Sequence, residues 1–119
     1  MYKRQVLFCT RSFEDPDTWR DDFNSLSPEL ILQLAGQGVT LVGLDTPSVD
    51  PADSKALESH QALHATDLAV LEGLVLSHVP EGHYVLVAPP LRLEGAEGAP
   101  VRALLFHPAA FAALSPGPA

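Results

Sequence analysis

The sequence predicts an α/β domain, and three observations carry that reading. Two short apolar, β-prone runs lie at residues 6–10 and 39–44, a capped amphipathic helix lies between them, and that helix steps directly into the second run. A strand, helix, strand succession favours a right-handed crossover between parallel strands. At 119 residues the chain buries roughly two-thirds of its unfolded surface, enough for one core.

The first run, residues 6–10, contains Cys9, which its apolar neighbours predict to be a buried, inert thiol. Residues 11–22 hold five carboxylates and Pro16 without periodicity, the mark of a loop with a solvated acidic face. Trp19 and Phe23 stand out there, and each either tucks beneath the loop or lines a pocket. Ser27-Pro28-Glu29 starts the helix: a hydroxyl at the N-cap, a proline at N1 where its missing N–H costs nothing, and a carboxylate at the positive end. Leu30, Ile31, Leu34 and Ala35 then form one apolar stripe, closed by Gly36 or Gly38. Residues 39–44 are almost continuously apolar, as a strand buried on both faces requires.

Asp45-Thr46-Pro47-Ser48, followed by Asp50, Pro51 and Asp53, lies beyond the carboxyl end of that strand, where parallel sheets gather ligands. An ordinary turn closed by Asp and Ser side chains has the same composition. Residues 59–66 suit a short helix, and residues 68–76 are apolar apart from Glu72 and Gly73. Further on, residues 79–82 read as a turn, 84–88 as a strand, Pro89-Pro90 as an interruption, 91–99 as a loop and 101–106 as a last strand. His78, His83 and His107 fall at or near turns and suit surface or packing roles.

Seven Lys and Arg against fifteen Asp and Glu give a formal charge of −8. That leaves no basic footprint for nucleic acid or for an anionic membrane. One cysteine allows no internal disulfide, no apolar run approaches the ~20 residues of a membrane helix, and no signal-peptide pattern opens the chain. A soluble, cytoplasmic protein is the expectation.

Glu72 is the anomaly. A carboxylate among Leu68, Val70, Leu71, Leu74 and Val75 is expensive to bury unless paired or bound to a metal, and points outward otherwise. His60 and His64, four apart on one helix, would face the same way and could chelate zinc, but no H-E-x-x-H pattern accompanies them. His60 and Glu72 are twelve apart, about 18 Å on one continuous helix, so they can share an ion only if the chain turns between them. Thr66-Asp67 offers such a break.

The segment L-V-G-L-D-T-P-S-V-D-P-A-D-S-K-A-L-E-S-H-Q-A-L, continuing through D-L-A-V-L-E-G-L-V-L-S-H-V-P-E-G, closely resembles the C-terminal half of bacterial arylformamidases, also called kynurenine formamidases, of the cyclase family. The likeness runs from Val6 to about Phe106, through L-V-A-P-P-L-R-L and A-P-V-R-A-L-L. It implies the swivelling β/β/α domain of that family, of which residues 6–107 would be the C-terminal part. Residues 1–5 then read as a non-native leader and residues 108–119 as a mobile tail. The family's zinc-ligating histidine and glutamate correspond to His60 and Glu72. His64 falls where the family carries an apolar residue and takes no role. Residues 45–48 are implied to shape the site without binding metal.

Family members also carry an upstream H-x-G-T-H-x-D motif with further zinc ligands, and a later histidine for acid-base catalysis. Neither is present here, so no catalytic residue is assigned within this chain. The resemblance implies, for the complete protein, a homodimer that uses Zn2+, two ions per active site, to hydrolyse N-formyl-L-kynurenine to L-kynurenine and formate in tryptophan breakdown. The 119-residue piece alone is expected to be inactive. Two alternatives have different consequences: another cyclase-family hydrolase acting on isatin or a different cyclic amide, or a non-catalytic dimerisation or binding domain whose Glu72 faces solvent.

Overall fold

The computed structural model describes residues 4–112. Residues 1–3 of the expected leader and 113–119 of the expected tail lie outside them. The described chain forms two compact units, one running to Val79 and one starting at Pro80.

In the first unit, β1 (Gln5–Phe8), β2 (Leu41–Leu44) and β3 (Ala69–Leu71) form a parallel sheet in the order β1-β2-β3. Helix α1 (Pro28–Gly36) links β1 to β2, and α2 (Glu58–Ala65) links β2 to β3, which is the βαβ succession the apolar runs predict. Phe8 pairs with Leu44, and Gly43 with Leu71, so the strands end nearly level and their following loops emerge on one side.

Helix α1 starts as its sequence dictates. The Ser27 hydroxyl accepts the Leu30 N–H at 3.2 Å, Pro28 takes the first turn, and Gly38, at φ +88°, turns the chain in the left-handed region that glycine tolerates. Ile31 from its apolar stripe is fully buried against Val42, Leu44 and Val49. Gly43 lies where Leu7 and Leu74 occupy the space a Cβ would need, which lets side chains from both flanking segments close over the middle of β2. The interior position of residues 42–44 agrees with the expected double-sided burial.

The second unit pairs β4 (Val85–Val87) with β5 (Leu104–Phe106) antiparallel, extended by a bridge between Pro90 and Val101. Helix α3 (Pro108–Ala112) follows, with the Phe111 ring edge-on to Phe106 at 5.2 Å.

Cys9 and the last strand depart from expectation. Cys9 is exposed: β1 ends at Phe8, so the thiol stands beyond the ladder, its Sγ 3.9 Å from the Leu76 carbonyl oxygen. The apolar run at 68–76 is a strand only over Ala69–Leu71, because the chain turns at Gly73, φ +70°. The last strand is confined to Leu104–Phe106, since Pro100 cannot donate and only Val101 bridges before it. Near the start, the Arg4 carbonyl accepts the Thr40 N–H at 2.7 Å, and Gln5 pairs with Leu41.

Candidate functional site

Both loops that leave β2 and β3 are pinned to each other at their first residues. The Leu74 N–H donates to the Leu44 carbonyl at 3.1 Å and the Gly73 N–H to the Thr46 carbonyl at 2.8 Å. Just ahead of these two donors lies Glu72, one residue past β3. Its Oε2 accepts the Val49 N–H at 2.9 Å, which leaves Oε1 turned toward α2. There it meets His60: Nε2 and Oε1 are 3.4 Å apart. The chain makes its turn at Thr66 and Asp67, where Asp67 adopts φ +54°, so the twelve-residue spacing becomes a direct contact.

Behind the histidine stands Asp50, whose side chain is 2% exposed. Its two oxygens accept the Ser59 N–H at 2.8 Å, the His60 N–H at 3.0 Å and a bond from His60 Nδ1 at 2.7 Å. Burial pushes the Asp50 carboxyl up, but these hydrogen bonds, with the His60 charge, outweigh burial and hold it below the usual range. An ionised carboxylate only accepts, so Nδ1 carries the proton and the Nε2 position faces Glu72. Burial likewise opposes charging the imidazole, yet the Asp50 hydrogen bond and the Glu72 carboxylate together raise it above its ordinary value.

Asp50 has a second task. Leu57, at the N-cap position of α2, offers no capping side chain and sits at φ +50°. The orphan N–H groups of Ser59 and His60 are therefore capped from a distance, by a carboxylate nine and ten residues upstream. Ser59 completes the anchor by donating its hydroxyl to the Leu26 carbonyl. One buried carboxylate thus starts the helix and aims its histidine. Sequence reading passed over this role; the signal was the missing cap residue ahead of α2.

When His60 is neutral, a lone pair on Nε2 and an anionic Oε1 face each other, a repulsive arrangement unless something positive lies between. A proton on Nε2 satisfies it, and so does a divalent metal. Two ligands each about 2.0–2.1 Å from a tetrahedral zinc ion stand roughly 3.3 Å apart, and the 3.4 Å separation matches that requirement. The histidine tautomer, locked by a carboxylate on its other nitrogen, is also the one zinc-binding histidines adopt. The pair therefore fits a metal, although among the described residues no group of three His, Cys, Asp or Glu assembles to hold one. His64 lies exposed on α2.

The segment after β2 shapes its surroundings. Asp45 is buried and accepts the Thr10 N–H at 3.0 Å, the Thr10 hydroxyl at 2.7 Å and the Arg11 N–H at 2.9 Å. It thereby fixes the loop that leaves β1. Phe23 tucks beneath that loop, whereas Trp19 remains 66% exposed. Both outcomes left open for these aromatics occur, one for each.

Over 101 residues, 85% of this chain, the sequence is 55% identical to the kynurenine formamidase of Bordetella pertussis (strain Tohama I / ATCC BAA-589 / NCTC 13251), covering 48% of that protein. The chain resembles about half of a kynurenine formamidase. A second such enzyme, from Paracidovorax citrulli (strain AAC00-1), is 53% identical over 106 residues, 89% of this chain and 49% of its own length. The chain thus spans about half the length of the curated formamidases it matches, consistent with their C-terminal half. Among solved structures, a potential metal-dependent hydrolase with cyclase activity superposes with a TM-score of 0.73 at 32% identity, over 84% of this chain and 48% of that one. A predicted metal-dependent hydrolase from Bacillus stearothermophilus gives the same score and identity, over 84% and 47%. No family model matches the chain. The α/β fold is shared with these hydrolases, and no helix among the described residues is long and apolar enough to cross a membrane.

Proposed function

We propose that this chain is one half of a zinc-dependent kynurenine formamidase, with His60 and Glu72 among its metal ligands. The observation that carries the reading is the facing pair itself: an imidazole held in one tautomer by Asp50, 3.4 Å from a carboxylate oxygen tethered by the Val49 N–H. Similarity to formamidases supports the substrate, N-formyl-L-kynurenine, whose formamide C–N bond is split by water into formate and L-kynurenine. Zinc, when bound, supplies Lewis-acid polarisation of a carbonyl and an activated water near neutral pH. In this chain Glu72 contributes charge that offsets the cation's, His60 contributes a neutral donor, and Asp50 keeps that donor oriented and basic.

A catalytic zinc site takes about three protein ligands, and this pair supplies two. The remaining ligands and the acid-base histidine belong, in this reading, to the other half of the formamidases, and two ions, a homodimer and a cytoplasmic setting follow from the same resemblance. The 119-residue chain by itself is therefore expected to bind zinc weakly and to leave formylkynurenine intact. In a protein that joins this chain to the remaining half, hydrolysis should be lost with chelator and with His60→Ala or Glu72→Gln. Chelator-sensitive hydrolysis by the 119 residues alone, abolished in His60→Ala, would sink the two-half reading. Full activity of the joined protein carrying His60→Ala would remove the ligand assignment.

A further inference from the structure

A cavity of about 280 Å³ opens beside the loop that Asp45 holds, entirely within the first unit. Its wall includes Gly73, the residue after Glu72, and Pro47, two residues before the Val49 N–H that tethers Glu72. The cavity therefore shares its backbone with the His60–Glu72 pair. Its lining is of two kinds.

Phe13, Trp19, Leu74 and Val75 make an apolar slot. Phe13, Trp19 and Phe23 pack edge to face in a closed trio, with centroids 5.9 to 6.1 Å apart and interplanar angles of 68° to 80°. Phe23 is buried and serves as the anchor of the trio, while Trp19 and Val75 stay 66% and 51% exposed. A benzene ring fills a cavity of roughly 150 Å³, so an aryl group occupies about half of this one and leaves room for a polar substituent.

Arg11 and Glu14 line the same cavity. Neither takes part in an ion pair among the described residues. Arg11 holds φ +57°, a conformation rare for a side-chain-bearing residue, and the Asp45 carboxylate secures it through the Arg11 N–H. Arg11 and Glu14 thus line an aromatic-walled slot together, one residue of each charge, the complement of a zwitterion.

We infer that this cavity is the recognition site for an aryl-bearing α-amino acid, with the ring between Trp19 and Leu74, the carboxylate on Arg11 and the ammonium on Glu14. This inference rests on the formamidase reading and sharpens it, since a neutral cyclic amide has no groups for Arg11 and Glu14 to pair. Trp19 is the sole tryptophan, so its emission reports occupancy directly.

The test is titration of the 119-residue chain with L-kynurenine in the presence of chelator, followed by Trp19 emission. Saturable quenching is expected, weakened about tenfold in Arg11→Met and less in Glu14→Gln, as loss of a charge-assisted pair predicts. Arg11 is exposed, and a far-UV circular dichroism spectrum unchanged from the parent chain establishes that each variant is folded. No saturable quenching, or equal affinity in Arg11→Met, overturns the inference. The formamidase reading fails separately: binding here with no formylkynurenine hydrolysis by the joined two-half protein keeps the cavity and removes the hydrolase. Hydrolysis with a KM indifferent to Arg11→Met does the reverse.

Discussion

The two units handle their apolar residues in opposite ways. The first buries Ile31, Val42, Leu44 and Val49 completely, and around them Asp45, Thr46, Asp50 and Ser59, each hydrogen-bonded. In the second, no described residue is buried, and Leu91, Leu93, Leu104 and Phe106 are exposed. A parallel sheet covered by helices can enclose polar groups and so aim them, whereas a two-stranded hairpin is only marginally stable in isolation. Chemistry accordingly collects in the first unit. The lesson is that a site needs an interior to hold its supporting carboxylates, and among the described residues only the first unit has buried ones.

Substitution of Asp50 probes the difference most severely. Asp50→Ala strands two backbone N–H groups and the imidazole at once, and should cost about 3 kcal/mol in urea unfolding. In a zinc titration of the joined protein, the same change should weaken binding by roughly 10–100-fold. An unfolding midpoint that does not move would mean the buried polar cluster adds nothing to the first unit.

Titration of the metal-free chain sharpens the same point. The Asp50 carboxyl is lowered on folding, so its contribution is present above the unfolded value of about 3.9 and is lost as pH falls through the folded one. His60 is raised, so its contribution is complete below about 6.5 and fades as pH rises through its higher folded value. Stability of the first unit should therefore decline on both sides, and His60→Ala should remove the alkaline decline and lessen the acid one, since the imidazole also helps hold the Asp50 carboxyl down. In the joined two-half protein, zinc should reverse the alkaline trend, because a metal requires the neutral ring. Unfolding midpoints measured from pH 3 to 9, with and without zinc, would report both effects (roughly the range over which these groups titrate).

Gly43→Ala asks how tightly the interior is closed. The new Cβ would lie 2.5 Å from Leu7 Cδ2 and 2.9 Å from Leu74 Cδ1. Both are ends of flexible side chains that can shift, so a loss of about 1 kcal/mol is expected by thermal or urea unfolding. A surface change in the other unit should do least. Leu104→Ser, at a position 43% exposed, should stay within about 0.5 kcal/mol, while amides of β4 exchange faster than those of β2. Equal protection of the two sheets in hydrogen exchange would break the contrast.

Much of the first unit was legible from local patterns. Ser27-Pro28 announces α1, the run at 39–44 announces β2, and both act within a few residues of chain, where propensity and capping decide. Cys9 was misread because an apolar neighbourhood in sequence does not tell where a ladder stops. Of the site, His60 and Glu72 were legible through the family string and through the oddity of a carboxylate in an apolar run. Asp50 was not, because three acids share that loop, Asp45 and Asp50 both turn inward, and nothing within the loop tells which of them reaches α2.

By itself the sequence determined the α/β class, the order of β1, α1 and β2 and the acidic character, since periodicity, caps and charge are local or additive properties, while His60 and Glu72 became candidates through the family resemblance. Tertiary structure alone decided that His60 and Glu72 meet at 3.4 Å, that Asp50 caps α2 and locks the imidazole, and that Trp19 and Arg11 line one cavity. Each of these is a contact between segments distant along the chain. Such contacts depend on where parallel strands end and how their loops are pinned, and those positions follow only once the core has closed.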